Sequence, residues 1–341
     1  MRNNKNGSFP IYGGNGISGY SDEYNIDKPT IVIGRVGFYC GSIHYVKSKA
    51  WVTDNAFITS IYGNVYDIDF LYYLLTYCNL RQYSNSTAQP VISGKTIYPV
   101  HVPVPPIKEQ RKIVEKIEFW LSCISQLEFS QSKVKSTIKQ AKSKILDLAI
   151  HGKLVQQDPN DEPASELLKR INPKAEITCD TPQYGKLPKG WCLCKISSVV
   201  DIVNGKSQKN VESPTGKYPI YGSGGIIGKA MEYTCLAGSS IIGRKGTINH
   251  PIFVEENFWN VDTAFGMKAN NQILEDKYFY CFCLYFDFSK LDKSSALPSL
   301  TKTAIGNLIL PIPPLAEQQR IVAKIEELFS QLDKIESSLQ A

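Results

Sequence analysis

Apolar side chains recur at Ile113, Ile117, Trp120, Ile124, Leu127, Val134, Ile138, Ala141, Ile145 and Leu148, in alternating steps of four and three with one polar position, Gln131, in the seam. That spacing is a heptad repeat held for about five heptads, and it predicts a coiled-coil helix over roughly residues 107–151. At 1.5 Å rise per residue the helix would span on the order of 55–65 Å. Pro103, Pro105 and Pro106 end anything helical upstream, Glu109 puts an acid in the first turn, and Gly152 is placed to stop the helix. A stripe this long needs a partner helix. A second heptad run, Ile321, Ile325, Leu328, Leu332, Ile335 and Leu339, offers one in the same chain.

The two helices share an entry sequence. Pro105-Pro106-Ile107-Lys108-Glu109-Gln110 recurs as Pro313-Pro314-Leu315-Ala316-Glu317-Gln318, 208 residues later. The stretches before them repeat as well. Phe9-Pro10-Ile11-Tyr12-Gly13-Gly14 matches Tyr218-Pro219-Ile220-Tyr221-Gly222-Ser223. Ile31-Val32-Ile33-Gly34-Arg35 matches Ser240-Ile241-Ile242-Gly243-Arg244, and Trp51-Val52-Thr53-Asp54-Asn55-Ala56-Phe57 matches Trp259-Asn260-Val261-Asp262-Thr263-Ala264-Phe265. Each unit reads as short β-branched and aromatic runs cut by Gly and Asn turns. An aromatic-rich helix follows in each, about 67–81 and 275–289, and then a strand into the Pro-Pro step, ending at Val104 and Ile312. The expected class is α+β. The expected domains are 1–105, a helix over 106–152, a linker over 153–184, a second domain over 185–313, and a closing helix over 314–341. Pro163 should open a short helix over Ala164–Ile171 in the linker. Against a perfect duplication, the second unit has about 23 extra residues at its start, from Gly185 to Lys209, and the second heptad helix is the shorter.

Composition narrows the function. The chain has 341 residues, 43% hydrophobic and 21% charged, with a formal charge of +6. This suits two globular domains and permits a polyanion partner without requiring one. No apolar run reaches membrane-spanning length and no signal peptide opens the chain, so the expectation is a cytoplasmic protein off the membrane. Of nine cysteines, Cys192/Cys194 and Cys281/Cys283 are spaced CxC, which fits buried free thiols better than a metal site. Gly94-Lys95-Thr96 and Gly205-Lys206-Ser207 imitate the end of a phosphate loop, but Gln89 and Val200 occupy the first glycine positions. His44, His101, His151 and His250 show no ligand or triad spacing, and no dinucleotide fingerprint is present. No cofactor, metal or catalytic residue is expected.

The order of these parts resembles the specificity subunit of type I restriction–modification systems. The carriers are the duplicated Pro-Ile-Tyr-Gly units, the two Pro-Pro-x-x-Glu-Gln helix entries, and the exit His151-Gly152-Lys153-Leu154-Val155-Gln156-Gln157-Asp158-Pro159-Asn160-Asp161-Glu162-Pro163-Ala164. The resemblance implies two target-recognition modules joined by two long antiparallel coiled-coil helices. It implies that each module reads one half of a split double-stranded DNA site. It also implies that the helices set the spacing and dock two methyltransferase subunits, that a restriction subunit joins them, and that the subunit does no chemistry itself. The alternative kept open is an assembly scaffold with impaired DNA reading. Ile113, Ile117, Trp120, Ile124, Ile321, Ile325, Leu328 and Leu332 are the expected helix interface, with Ile117, Ile124, Ile325 and Leu332 nearly buried. Self-association through the long helix is the rival arrangement.

Reading base edges needs donors that reach a groove, and holding phosphates needs charge. Arg35 and Arg244 are the sharpest candidates, since each follows an apolar strand and a glycine. The competing reading is a structural pair with Asp54 or Asp262. Lys95, Thr301 and Lys302 sit in hydroxyl-rich turns, and Lys206, Lys209 and Lys245 add charge to the second unit. The Gly-rich stretches Gly13–Tyr20 and Gly222–Lys229 fit tight turns better than phosphate cradles. The lysines Lys133, Lys135, Lys139, Lys142 and Lys144 suit a solvated or partner-facing helix flank.

Overall fold

A computed structural model describes residues 7–85, 89–178, 180–291 and 299–339. Two compact units emerge, 1–129 and 130–341. The first opens with a hairpin, β1 (Phe9–Gly13) and β2 (Gly16–Ser21), turned by Gly16 at φ +83°. Next come β3 (Thr30–Gly34), β4 (Ile43–Val46), β5 (Trp51–Val52) and β6 (Ala56–Ile58). They form two three-stranded sheets, ordered β2-β1-β5 and β4-β3-β6, with β5 parallel to β1. Helix α1 (Ile68–Tyr77) starts at Asp67, whose carboxylate accepts from the amides of Asp69 and Phe70. The short α2 (Gly94–Ile97) precedes α3 (Ile107–Ile150), 44 residues without a break.

The second unit adds α4 (Ala164–Ile171), which begins at Pro163 as the sequence predicts, and the small strands β7 (Asp180–Thr181) and β8 (Gly185–Lys186). Then come β9 (Cys192–Lys195), β10 (Val200–Asn204), β11 (Tyr218–Gly222), β12 (Gly225–Ala230) and β13 (Ser239–Gly243). The remaining strands before the helices are β14 (Ile252–Val254), β15 (Trp259–Asn260) and β16 (Ala264–Ala269). The chain continues through α5 (Asp276–Tyr285), α6 (Lys302–Gly306), β17 (Ile309–Ile312) and α7 (Leu315–Ser338). The repeat holds to the level of irregularities. The hairpins β1–β2 and β11–β12 slip register at the same step, Ile11/Tyr12 and Ile220/Tyr221, and β15 runs parallel to β11 as β5 does to β1.

The Gly-rich stretches are tight turns between strands, as the sequence suggests, with β2 and β12 restarting at Gly16 and Gly225. Two local expectations are corrected. The aromatic helices end at Tyr77 and Tyr285, and a separate 3-10 turn follows each, over Leu80–Tyr83 and Phe288–Leu291. A strand enters the Pro-Pro step only in the second unit. There β17 is held by β9, while residues 101–104 have no such partner and stay irregular.

The Pro-Pro-x-x-Glu-Gln entry explains itself in the fold. Gln110 and Gln318 are fully buried. The Gln318 amide nitrogen donates to the carbonyls of Ile273 (2.9 Å) and Pro313 (3.0 Å), and its oxygen accepts from the Glu275 amide (2.8 Å). Gln110 repeats the set with Val65, Pro105 and the Asp67 amide, all at 2.8 Å. Asp67 and Glu275 cap α1 and α5, so each glutamine ties the first turn of one helix to the cap of another. Glu317, 1% exposed, accepts from the Trp191 indole (3.1 Å) and from Gln157 (3.0 Å), while Arg320 pairs with Asp161 at 2.6 Å. Gly152 at φ +66° packs on Pro188, where a Cβ would come within 2.3 Å, so the stop needs glycine.

The heptad stripes are buried unevenly. Ile321 and Ile325 are enclosed in one core with Leu146, Ala149, Ile150, Trp191, Phe279 and Phe282, and Leu328 and Leu332 are half-buried. Lys142 meets the Asp333 carboxylate, and the Gln131 amide donates to the Leu339 carbonyl (3.2 Å), so the end of α3 and α7 run in opposite senses. The expected burial fails in the middle of α3. Ile113 and Ile117 are half-buried, Ile124 is 49% exposed and Trp120 is 61% exposed. A heptad pattern specifies which face seeks burial but does not itself supply the covering helix.

Gln318→Ala should lower stability by about 2–4 kcal/mol, because it leaves two buried carbonyls and one buried amide unpaired; a urea melt showing a loss under about 0.5 kcal/mol would refute the clamp. Burial raises the Glu317 carboxyl above its ordinary 4.5, with the Gln157 and Trp191 hydrogen bonds pulling it down. A raised folded-state value gives a contribution that is full below the ordinary value and lost as pH rises through the raised one. The stability of the wild type relative to Glu317→Gln should therefore fall from pH 4.5 towards neutrality. Urea midpoints across that range read the sign.

Candidate nucleic-acid interface

Each unit brings three segments to the end of one strand. Gly34 and Gly243 close β3 and β13, and the neighbouring backbone leaves no room for a side chain. A Cβ on Gly34 would lie 2.3 Å from the Gly14 carbonyl, and one on Gly243 would lie 2.0 Å from that of Thr247. The arginine that follows is fixed by its main chain. Arg35 donates to Asn55 and accepts from Ile92, both at 2.9 Å, and Arg244 donates to Thr263 (2.7 Å) and accepts from Leu300 (2.9 Å). The turn before β6 or β16 thus takes the amide of each arginine, the segment before α2 or α6 takes its carbonyl, and the hairpin tip lies against the preceding glycine.

The side chains do not form the ion pairs of the structural alternative. The Arg35 guanidinium lies over the Phe57 ring at 5.5 Å, and that of Arg244 over Phe265 at 5.9 Å. Neither arginine pairs with Asp54 or Asp262 among the described residues. Among the described residues, Arg244 Nε is buried without a hydrogen-bond partner. An aromatic ring positions a guanidinium while leaving its outer edge available, whereas a carboxylate would occupy that edge. The ring belongs to the repeated Ala-Phe, but the acid three residues before it is the more obvious partner in the sequence.

Lys95 sits exposed in the first turn of α2, behind a cap in which Ser93 and Thr96 bond to each other (Thr96 Oγ1 to Ser93 O, 2.8 Å). Lys302 is exposed and opens α6, directly after its cap Thr301, one position earlier than Lys95 in α2. The Thr301 hydroxyl oxygen accepts from the Ala304 amide (3.1 Å), so its evident duty is capping. Lys245 is exposed beside Arg244, in a bridge to Ser299. Lys206 is also drawn in. Its amide donates to Asn260 (2.8 Å) and its carbonyl accepts from the Trp259 indole (3.1 Å), on the turn whose Thr263 carbonyl holds Arg244. Lys209 is exposed, and no bond ties it to this cluster among the described residues. Residues 292–298, before Ser299, lie outside the described residues.

Two residues behind the first hairpin escaped the sequence reading. Ser42 Oγ donates to the Gly14 carbonyl (2.9 Å) and lies 2.9 Å from His44 Nε2, next to the Gly16 turn. Burial lowers the His44 pKa, favouring the neutral ring. On the sheet, His44 faces Val32, and Ile252 faces Ile241 at the corresponding place. The frame is shared and the lining differs. A lone histidine with no ligand spacing gave no hint of this.

Among the described residues no His, Cys, Asp or Glu group could hold a metal, and no helix is long and apolar enough to cross a membrane. The CxC thiols are buried, and burial pushes Cys194 and Cys281 up to about 12 and Cys235 to about 11. Among the described cysteines a disulfide-exchange reagent at pH 8 should modify Cys78 and Cys123 in the native protein, and these buried thiols only on unfolding. Rapid native labelling at Cys194 would contradict this packing.

Residues 2–142 and 188–341 match the family described as type I restriction modification DNA specificity domain. The chain is 30% identical over 143 residues to the type I restriction enzyme EcoprrI specificity subunit of Escherichia coli, covering 41% of this chain and 34% of that one. It is 23% identical over 282 residues to the EcoAI specificity subunit of Escherichia coli, covering 67% and 46%. The match thus spans about a third to a half of these relatives' length. Among solved structures, one described as the structural basis of complex assembly and conformational transition of the type I R-M system superposes with TM-score 0.64 at 18% identity, covering 91% of this chain and 76% of that chain. The HsdS subunit from Thermoanaerobacter tengcongensis superposes with TM-score 0.53 at 16% identity, covering 92% and 76%. At these identities the superpositions speak to the fold.

Proposed function

The chain belongs to the family of type I restriction modification DNA specificity domains, and on that footing we propose that it is a non-catalytic subunit that reads a bipartite duplex site, one half per unit. The carrying observation is the arginine stacked on a phenylalanine at the same place in both units, beside an exposed lysine. Bidentate arginine–guanine contacts are the commonest direct readout, and the flanking lysines suit phosphates. The difference between His44 and Ile252 behind the two sites supports separate half-sites. In this reading α3 and α7 pair as an antiparallel coiled coil, set the spacer, and dock two methyltransferase subunits, to which a restriction subunit is added. The work takes place in the cytoplasm. The second reading, a scaffold with impaired DNA reading, draws on the exposed middle of α3.

Gel shifts with a randomised duplex, run with the methyltransferase subunits present, separate the two. Arg244→Ala should cost about 1–3 kcal/mol and relax the preference at one half-site only, with Arg35→Ala acting on the other. Lys302→Ala should weaken all sequences alike and flatten the slope of log K against log salt by about one. Loss of preference at both halves from either arginine variant would refute the division of labour, and no specific shift with the wild type would favour the scaffold.

A further inference from the structure

The entry face of α7 is covered, and the same face is presented a second time on α3. Over α7, residues 142–191 form the cover. The aliphatic end of α3 supplies Leu146, Ala149 and Ile150, and the strap beyond Gly152 supplies Gln157 and Trp191 as donors to Glu317 and Asp161 as the partner of Arg320. At the matching positions α3 offers Glu109 for Glu317, Lys112 for Arg320, Ile113 for Ile321 and Ile117 for Ile325. The acid, the cation and both isoleucines are kept. With Trp120 and Leu121 these residues line an open groove whose lining is almost wholly apolar. Glu109, Lys112 and Trp120 are exposed there, whereas Glu317 and Ile321 are enclosed.

A covered and an uncovered copy of one face specify the occupant. We propose that the Glu109–Leu121 face of α3 is a docking site for a cover of the same chemistry carried by a separate polypeptide. That cover presents an aliphatic helix end, a glycine turn, an acid to meet Lys112, and an amide and an indole N–H to meet Glu109. The chain's own residues 142–191 are committed, since Trp191, Leu146 and Ile150 lie within the core of the second unit. A second polypeptide that offers such a segment uncommitted is the partner this face fits. The inference does not depend on DNA recognition, because it concerns a different surface and a different ligand.

The probe is a fluorescent peptide of residues 142–191 of this sequence, titrated against the full-length chain and read by anisotropy. Saturable binding is expected. Glu109→Ala in the protein, or Trp191→Phe in the peptide, should each weaken it about tenfold, as expected for loss of a charge-assisted hydrogen bond. Lys112→Glu should weaken it similarly, and an Asp161→Lys peptide should restore binding to Lys112→Glu but not to the wild type. Glu109 and Lys112 are exposed, so these variants should keep the melting temperature. Absent binding, binding indifferent to both positions, or binding abolished instead by Arg320→Glu would overturn the proposal; the last would mean that the peptide exchanges onto α7. Protection of this face by methyltransferase subunits that the peptide cannot displace would also overturn it.

Discussion

A buried carboxamide with every polar atom paired holds each unit to its helix. Gln110 and Gln318 each satisfy two carbonyls and one amide with no access to water. Leaving any of these groups unpaired in the interior costs about 1–3 kcal/mol. That asymmetry fixes the angle at which each helix leaves the Pro-Pro step. The residue before each glutamine is thereby aimed as well. Glu317 points into the Trp191 cover, and Glu109, from an equivalent turn, points to solvent.

The units differ in how much they enclose. In the second, a large core runs from α3 and α4 through β9 and β10 to α5 and α7, beside two smaller clusters around Phe258 and Ile220. In the first, two smaller clusters form, one around Ile31, Leu71 and Ile92 and another around Val32, Val46 and Val52. The extra strands and the cover account for this. They add a layer against which α7 buries Ile321 and Ile325, and they give β17 a neighbour.

Much of this was legible in the sequence. Short-range chemistry and self-similarity are local properties, so the repeat, the long helix, the Gly152 stop and the Pro163 start could be read directly. The exposure of Ile124 could not, because periodicity describes one surface and burial requires two. The apolar run before Pro105 resembles the one before Pro313, but a strand exists only where a neighbour takes its hydrogen bonds, and β9 is the neighbour of the second alone. The arginines are marked by their place after a glycine. Their rings, Phe57 and Phe265, share a motif with an acid, and sequence order does not show which of the two the guanidinium meets. Ser42 and His44 became visible only when the hairpin folded back upon them.

The glutamine joint is blind to side chains. Each of its partners is a main-chain atom: the carbonyls of Val65 and Pro105 and the amide of Asp67 in one case, the carbonyls of Ile273 and Pro313 and the amide of Glu275 in the other. A coupling of this kind constrains the path of the backbone and almost nothing else. A domain with a different surface that keeps this backbone path keeps the attachment as well. The joint is a standard fitting, and it leaves the surface of each unit free to diverge.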